Sequence, residues 1–567
     1  MKGKVAKISS VLIVSALLAT TGCTNSSQTK PTTSDASTAT ADPKPDLTPM
    51  TVRLGTGGPF DPYWDEMQSD VGKVIKEKTG ITLKKEFSVE GGDPQKYYSL
   101  MVASNEYPDL VSGGVSQLVN AGAVLDLAPL IDKYGPNIKK VYGDYMKRLR
   151  WSNTDHAIYA LPWPGVNGTT FDAGGGFEIQ HQVLKELGYP QIKTVKDYEA
   201  ALKAYKDKHP TTADGKPTIG MSLNAGEWQI VISVTNPAFF TTGAPDDGEF
   251  FIDPKTYEAK LHYLRPEEKE YFRWLNHMND IGLLDPESFT QKYDQYKAKI
   301  ATGRVLGMID QEWDYGEALN TLKKEGKFDQ TYAHFPVTLN DTYKDHSFQD
   351  TGYMAGPGIS ITKSAKDPVR LIKFLDYLAS DEGQVLINWG IEGVHYKVEN
   401  GKRVIPADVL EKKNNDANNF KKSTGIGNYT LLSASYGDGV KDPSGNYYTT
   451  TFPELIQAKY SKADKETLAA YKASTYLDLW PKKEEFPVKP WGAAWTINLE
   501  TGSEADVIKT KCLDIMKKRV PEAILAKPDQ FDAIWDAFMK DLDKAGVQKL
   551  NQAYTQLVKD RIKLWNE

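Results

Sequence analysis

Residues 50–111 change hydrophobic period repeatedly, and that alternation restricts the chain to few architectures. Met50-Thr-Val-Arg-Leu54 alternates like a strand and runs into a turn-rich loop, Gly55 to Trp64. Glu66 to Thr79 then carries a helical pattern stopped by Gly80, and Ile81-Thr-Leu-Lys-Lys-Glu-Phe87 reads as a second strand. A further helix around Gln95 to Ser104 leads to Tyr107-Pro-Asp-Leu-Val111. Such β-loop-α-β succession predicts an α/β lobe with a mainly parallel sheet. Ligands in these sheets sit outside the carboxyl ends of the strands, where the loops gather.

The pattern resumes downstream. Leu127, Leu130, Ile131 and Tyr134 form a helical stripe closed by Gly135-Pro136, and Ile158-Tyr-Ala-Leu-Pro-Trp-Pro164 is a stiff extended passage suited to a crossing between lobes. A second α/β region is expected after it. Its helices fall near Ile179 to Leu187, Val195 to Lys208 and Pro266 to Ile281, with a turn at Asp246-Asp-Gly248. Ile300 to Ile309 leads into Asp310-Gln-Glu-Trp313, and His334-Phe-Pro-Val337 reads as a return crossing. Ile359 to Thr362 then forms a strand and Pro368 to Ala379 a helix. The tail beyond 400 has helical patterns and no separate linker. The boundaries read as 48–163 with 337–399 for one lobe, and 164–336 with 400–567 for the other.

The chain has 567 residues, more than a single core usually supports, and only two cysteines, Cys23 and Cys512. Lys2, Lys4 and Lys7 precede a short apolar run from Val11 that ends at Cys23, the pattern of a secretory signal peptide. The apolar run is well short of the ~20 residues that span a bilayer. Gly22-Cys23 resembles the bacterial lipobox, in which the cysteine is acylated and becomes the mature N-terminus. Thr20 and Thr21 depart from that motif, and an ordinary secreted protein cut nearby is the alternative. Residues 24–47 form a Ser/Thr/Pro/Lys stretch lacking the apolar residues needed to fold, and read as a tether. A net charge of −6 with mixed signs argues against nucleic acid as a partner.

Several passages carry a resemblance. Leu100-Met-Val-Ala-Ser-Asn-Glu-Tyr-Pro-Asp-Leu110, Ala121-Gly-Ala-Val-Leu-Asp-Leu-Ala-Pro-Leu-Ile131 and Ile158-Tyr-Ala-Leu-Pro162 are similar to segments of the extracellular solute-binding lipoproteins of family 1, long oligosaccharide-binding branch. Pro357 to Lys363, Lys373 to Leu378 and Asn388 to Tyr396 resemble a distal block of the same branch. The resemblance implies a two-lobed periplasmic-binding-protein-like fold of type II, with hinge segments and a ligand cleft between α/β lobes. It also implies closure on an oligosaccharide, delivery to ABC transporter permease subunits, and lipid anchorage through Cys23 at the outer membrane face. No cofactor and a monomer are expected. Plant cell-wall fragments, such as xylo-oligosaccharides or aldouronates, are the substrates the branch suggests. Two departures matter. Ile179-Gln-His-Gln-Val-Leu184 lacks an Arg and a Trp that many relatives have, which leans toward a neutral ligand. In Thr211-Thr-Ala-Asp-Gly-Lys-Pro217 only Asp214 survives of a calcium loop, too few oxygens for calcium, so no metal is expected there.

A cleft for sugars wants aromatic platforms and hydrogen-bonding side chains. Tyr63 and Trp64, in the loop after the first strand, fit that role or an aromatic staple against the next helix. Trp163 at the crossing fits either a platform or hinge packing. Trp313, with Asp310 and Glu312, is expected at the end of a strand and so at the cleft. Trp228 can stack on a ring or cap the second lobe. Asp109 can accept sugar hydroxyls or cap a turn. Trp495 in the tail, with Trp491, completes the candidates, while Trp389 and Tyr396 read as core. Two other readings stay open: a secreted glycosidase or lyase, and a binder of peptides or other solutes. With 75 acidic residues any sequence nominates a carboxylate pair, but HExxH, GxSxG and P-loop motifs are absent.

Overall fold

The computed structural model describes residues 46–57, 64–87 and 94–567. The expectations for the signal peptide, Cys23, the tether up to residue 45 and Tyr63 lie outside the described residues.

Two sheets organise the described chain. The first contains β1 (Met50–Thr56), β2 (Ile81–Phe87), β3 (Leu110–Ser112) and β4 (Leu161–Pro162). The second contains β5 (Gly175–Gln180), β6 (Ile219–Met221), β7 (Val305–Gln311) and β8 (Tyr332–Phe335), and the chain then returns to the first sheet with β9 (Gly358–Ile361). The first sheet has the order β2-β1-β3-β9-β4, with β1 parallel to both β2 and β3, and β9 antiparallel to its neighbours. The second has the order β8-β5-β7-β6, with β5 antiparallel to β8 and β7, and β6 parallel to β7.

Local chemistry explains the boundaries. The helix Asp70–Thr79 ends at Gly80, which takes φ 67° and donates its N–H to the Lys76 carbonyl, a left-handed cap that glycine adopts without Cβ strain. The helix Val195–Lys208 begins with a capping box between Thr194 and Asp197. The helix Pro368–Ala379 starts with proline after the Asp367 cap. One expectation shifts: Ile179 belongs to β5, and the helix starts only at His181.

Each sheet has its own core. Val52, Leu54, Leu83, Leu110, Ile359 and Leu375 belong to the first. Phe177, Tyr198, Met221, Ile309, Met516 and Tyr554 belong to the second. These two large cores, with smaller clusters around Tyr296 and Tyr98 among the described residues, suit a chain of this size. The sequence reading places 400–567 wholly in the second lobe; Tyr429, Leu432 and Ala434 instead pack in the first core.

Three segments run together where the lobes join. Trp163 donates its N–H to the Pro357 carbonyl at 3.1 Å, and Val166 donates to Ser435 at 2.9 Å. A Cβ at Gly165 would stand 2.5 Å from the Gly437 Cα, so the backbones pass too closely for any side chain. The C-terminal helix Val547–Asn566 contributes Tyr554 to the second core and ends against the first lobe. There the Arg148 guanidinium lies 4.5 Å over the Trp565 ring, and Asn153 donates to the Asp560 carbonyl.

Candidate functional site

β6 and β7 are parallel neighbours, so the chain leaves both at the same edge of the sheet, β6 at Met221 opposite Gly307 and β7 further on at Gln311. After β7 the chain turns at once into the helix Glu312–Lys324, which puts Trp313 in its first turn rather than at a strand end. After β6, residues 222–228 are pinned down. Leu223 receives a bond from Gln291 and donates one to Ser288, while Gly226 lies against the Gln291 carbonyl with no room for a Cβ. Glu227 accepts the Tyr293 N–H at 3.1 Å and lies 3.5 Å from the Lys292 ammonium. Asn224 then donates to the Asp314 carboxylate at 2.9 Å, tying the two loops together.

These bonds bring Trp228 and Trp313 into a near-parallel pair, with ring centroids 6.3 Å apart and an interplanar angle of 8°. The rings are 45% and 63% exposed. A large aromatic held by a fixed loop yet left in water presents a flat apolar face at a defined angle, which is what the C–H face of a sugar ring fits.

Asp310, near the end of β7, is 1% exposed and accepts from the Tyr296 hydroxyl at 2.7 Å and the Gln311 N–H at 2.8 Å. Burial, with the Asp314 charge nearby, pushes its carboxyl well above the usual range. Glu178 is fully buried on the adjacent strand, and burial followed by the Asp310 charge raises it likewise. Burial alone would raise Glu312 too, but the Lys459 and Lys323 ammonium groups hold its carboxyl below the ordinary value. Its Oε1 lies 3.5 Å from the Lys459 Nζ.

The remaining candidates lie elsewhere. Trp64 packs in the first core at 9% exposure, edge-on to Tyr429, with the Lys85 ammonium 4.1 Å over its ring. Asp109 stands at the amino end of β3 and accepts the Arg53 N–H at 2.8 Å, on the edge opposite the strand carboxyl ends. Trp163 is half-buried at the lobe junction, and Trp495 is 47% exposed beside Gly248. Trp491, Trp389 and Tyr396 are buried.

Two departures acquire a physical reading. Gln180 is fully buried at the far end of β5 and donates to the Gly303 carbonyl at 2.9 Å. Since β5 starts opposite Gln311, Gln180 lies away from the tryptophan pair. The residue at that position therefore carries no information on ligand charge, and the lean toward a neutral ligand loses its basis. In the loop 211–217, the Thr212 hydroxyl donates to Asp214 and the Lys216 ammonium lies 3.3 Å from the same carboxylate.

A family profile described as bacterial extracellular solute-binding protein matches residues 71–389. The fructooligosaccharide ABC transporter substrate-binding protein FusA of Streptococcus pneumoniae is 23% identical over 337 residues, covering 56% of this chain and 59% of that protein. Lipoprotein LipO of Bacillus subtilis is 21% identical over 348 residues, covering 58% and 64%. The matched region thus spans about three fifths of the length of each of these curated relatives. Among solved structures, the alginate-binding protein AlgQ2 without calcium ion aligns with a TM-score of 0.64 at 19% identity, over 90% of this chain and 98% of that one. S. pneumoniae FusA in complex with kestose aligns at 0.63 and 17%, over 90% and 99%. At these identities the likeness is one of fold, and it establishes the two-lobed periplasmic-binding-protein-like architecture. With more than half of its length inside the matched profile, the chain belongs to the bacterial extracellular solute-binding protein family.

Proposed function

We propose that the protein captures an oligosaccharide between its lobes, closes around it without chemical conversion, and delivers it to an ABC importer. The paired faces of Trp228 and Trp313 carry this reading, because they are near-parallel, exposed and carried by the segments that follow β6 and β7. The named ligands of FusA and AlgQ2, fructo-oligosaccharide and alginate, share only the carbohydrate class. A plant cell-wall fragment, and membership in the long branch of family 1, are the finer readings supported by the sequence motifs. Trp313 and Trp228 are the proposed platforms, with Glu312 next to Trp313 in the chain as the proposed hydrogen-bonding side chain. Hinge closure needs only that ligand favours the closed state over the open one.

The glycosidase reading meets a specific obstacle. Glu178 and Asp310 are neighbouring carboxyls raised well above the ordinary range, yet they are 0% and 1% exposed, closed off from any sugar, and Asp172, raised to about 6 near Glu312, is engaged by the Tyr460 hydroxyl. Titration of intrinsic tryptophan fluorescence with oligosaccharides should saturate while chromatography of the same sample shows the sugar intact. Turnover of any of them would overturn the reading. Anchorage is the other part of the proposal: a diacylated Cys23 would hold the protein at the outer membrane face, since two chains give stable attachment. Cys23→Ser should release active binder into the medium; retention in the membrane fraction would refute the anchor.

A further inference from the structure

A cavity of about 560 Å³ opens between the start of the helix Asp70–Thr79 and the helix Ala417–Thr424. This volume is in the range of small-ligand sites and far beyond a packing defect. We infer that this cavity is a second sugar-ring subsite, provided by the first lobe and the segment after residue 406, for the far end of a long oligosaccharide. The inference rests on the oligosaccharide reading above.

The lining has the chemistry for it. Phe420 is half-buried and offers one aromatic face to the cavity. Asp65 and Gln68 face it from the first lobe, and Asn419 and Ser423 from the second wall. The Oδ1 atom of Asp65 is buried and has no hydrogen-bond partner among the described residues, so this carboxylate at the cavity wall is incompletely satisfied. Lys412 and Lys422 balance Asp65 and Asp416, leaving no net charge to demand an ionic ligand. Hydroxyl groups both donate and accept, and such a mixed ring of carboxylate, amide, hydroxyl and ammonium satisfies them.

Connectivity joins this cavity to the tryptophan pair. Asn320, on the helix whose first turn holds Trp313, donates to Asn418 at 3.4 Å. Asn418 opens the same short helix that carries Asn419, Phe420 and Ser423 into the cavity. Seven residues separate Trp313 from Asn320, about 10 Å of helix, so the inferred ligand is several sugar rings long. A chain bound at both would touch both lobes and favour closure more strongly than a short one.

The test is calorimetric titration of the full chain with gluco-, xylo-, manno- and fructo-oligosaccharide ladders from disaccharide to hexasaccharide. Wild-type affinity should rise with length. Phe420→Ala should weaken binding of the longest members about tenfold and leave the disaccharide unchanged, whereas Trp313→Ala weakens both. Asp65→Asn should act in the same direction as Phe420→Ala, and melting temperatures of the ligand-free variants establish that they fold. Wild-type curves from folded Phe420→Ala and Asp65→Asn, or affinity independent of length, would overturn the subsite while leaving the sugar-binding reading standing. Failure of the wild type to bind any ladder would overturn that reading and the subsite together.

Discussion

Replacing Trp313 by alanine separates a binding role from a packing role, because the two predict different magnitudes. The residue is 63% exposed, so only about a third of its surface is covered in the folded protein. For a side chain of about 250 Å², that is about 90 Å², or ~2 kcal/mol at ~25 cal/mol per Å². The figure is an upper bound, since the unfolded chain already hides part of this area. In a protein of this size such a loss lowers the melting temperature by about 2 °C. A sugar ring laid on the free face would cover a similar area again, also worth ~2 kcal/mol, so its loss should raise Kd about 30-fold. The assay is calorimetric titration with the best oligosaccharide, paired with thermal melting of the ligand-free variant. An unchanged Kd would refute the reasoning and make Trp313 a packing residue.

Three further expectations follow from particular contacts. Asp345 is 3% exposed and burial pushes its carboxyl from 3.8 to about 7; the folded state then holds more protons than the unfolded one between those values, and stability falls as pH rises through that window. At about 1.36 kcal/mol per pH unit this group contributes a loss on the order of 4 kcal/mol at most, so Asp345→Asn should flatten the melting profile between pH 4 and pH 7 and wild-type dependence in the variant would exclude Asp345 as its source. Gly165→Ala should force the crossing segments apart, at about 1–3 kcal/mol, and change the small-angle scattering radius; Gly174→Ala, where a Cβ meets nothing within 4 Å, is the control. A chelator should leave the melting temperature unaltered, since the Asp214 carboxylate is already paired with Lys216; a fall of several degrees would reveal a bound metal.

Much of the fold was legible in the sequence where one face of an element is wet. β2 alternates and has the predicted bounds, and the helices Val195–Lys208 and Pro368–Ala379 announce themselves by cap and period. β5 was not legible, because all six of its residues are buried and a strand buried on both faces has no alternation to read. Nor does periodicity reveal partners far along the chain. The pairing of Trp228 with Trp313 depends on Asn224 meeting Asp314, and the return of Tyr429 to the first core depends on contacts with residues more than three hundred positions away. The place of Phe420 is hidden from periodicity for the same reason. Its one local signal is an isolated aromatic in the polar run Asp416-Ala-Asn-Asn-Phe420, and only the folded chain sets that helix against Asp65 around one cavity.

Closure on an intact sugar is the centre of the account, and small-angle scattering during an oligosaccharide titration measures it most directly. The radius of gyration should fall along a saturating curve, with the sugar recovered unchanged at the end. A radius that stays constant at saturation, or recovery of cleaved sugar, would contradict it.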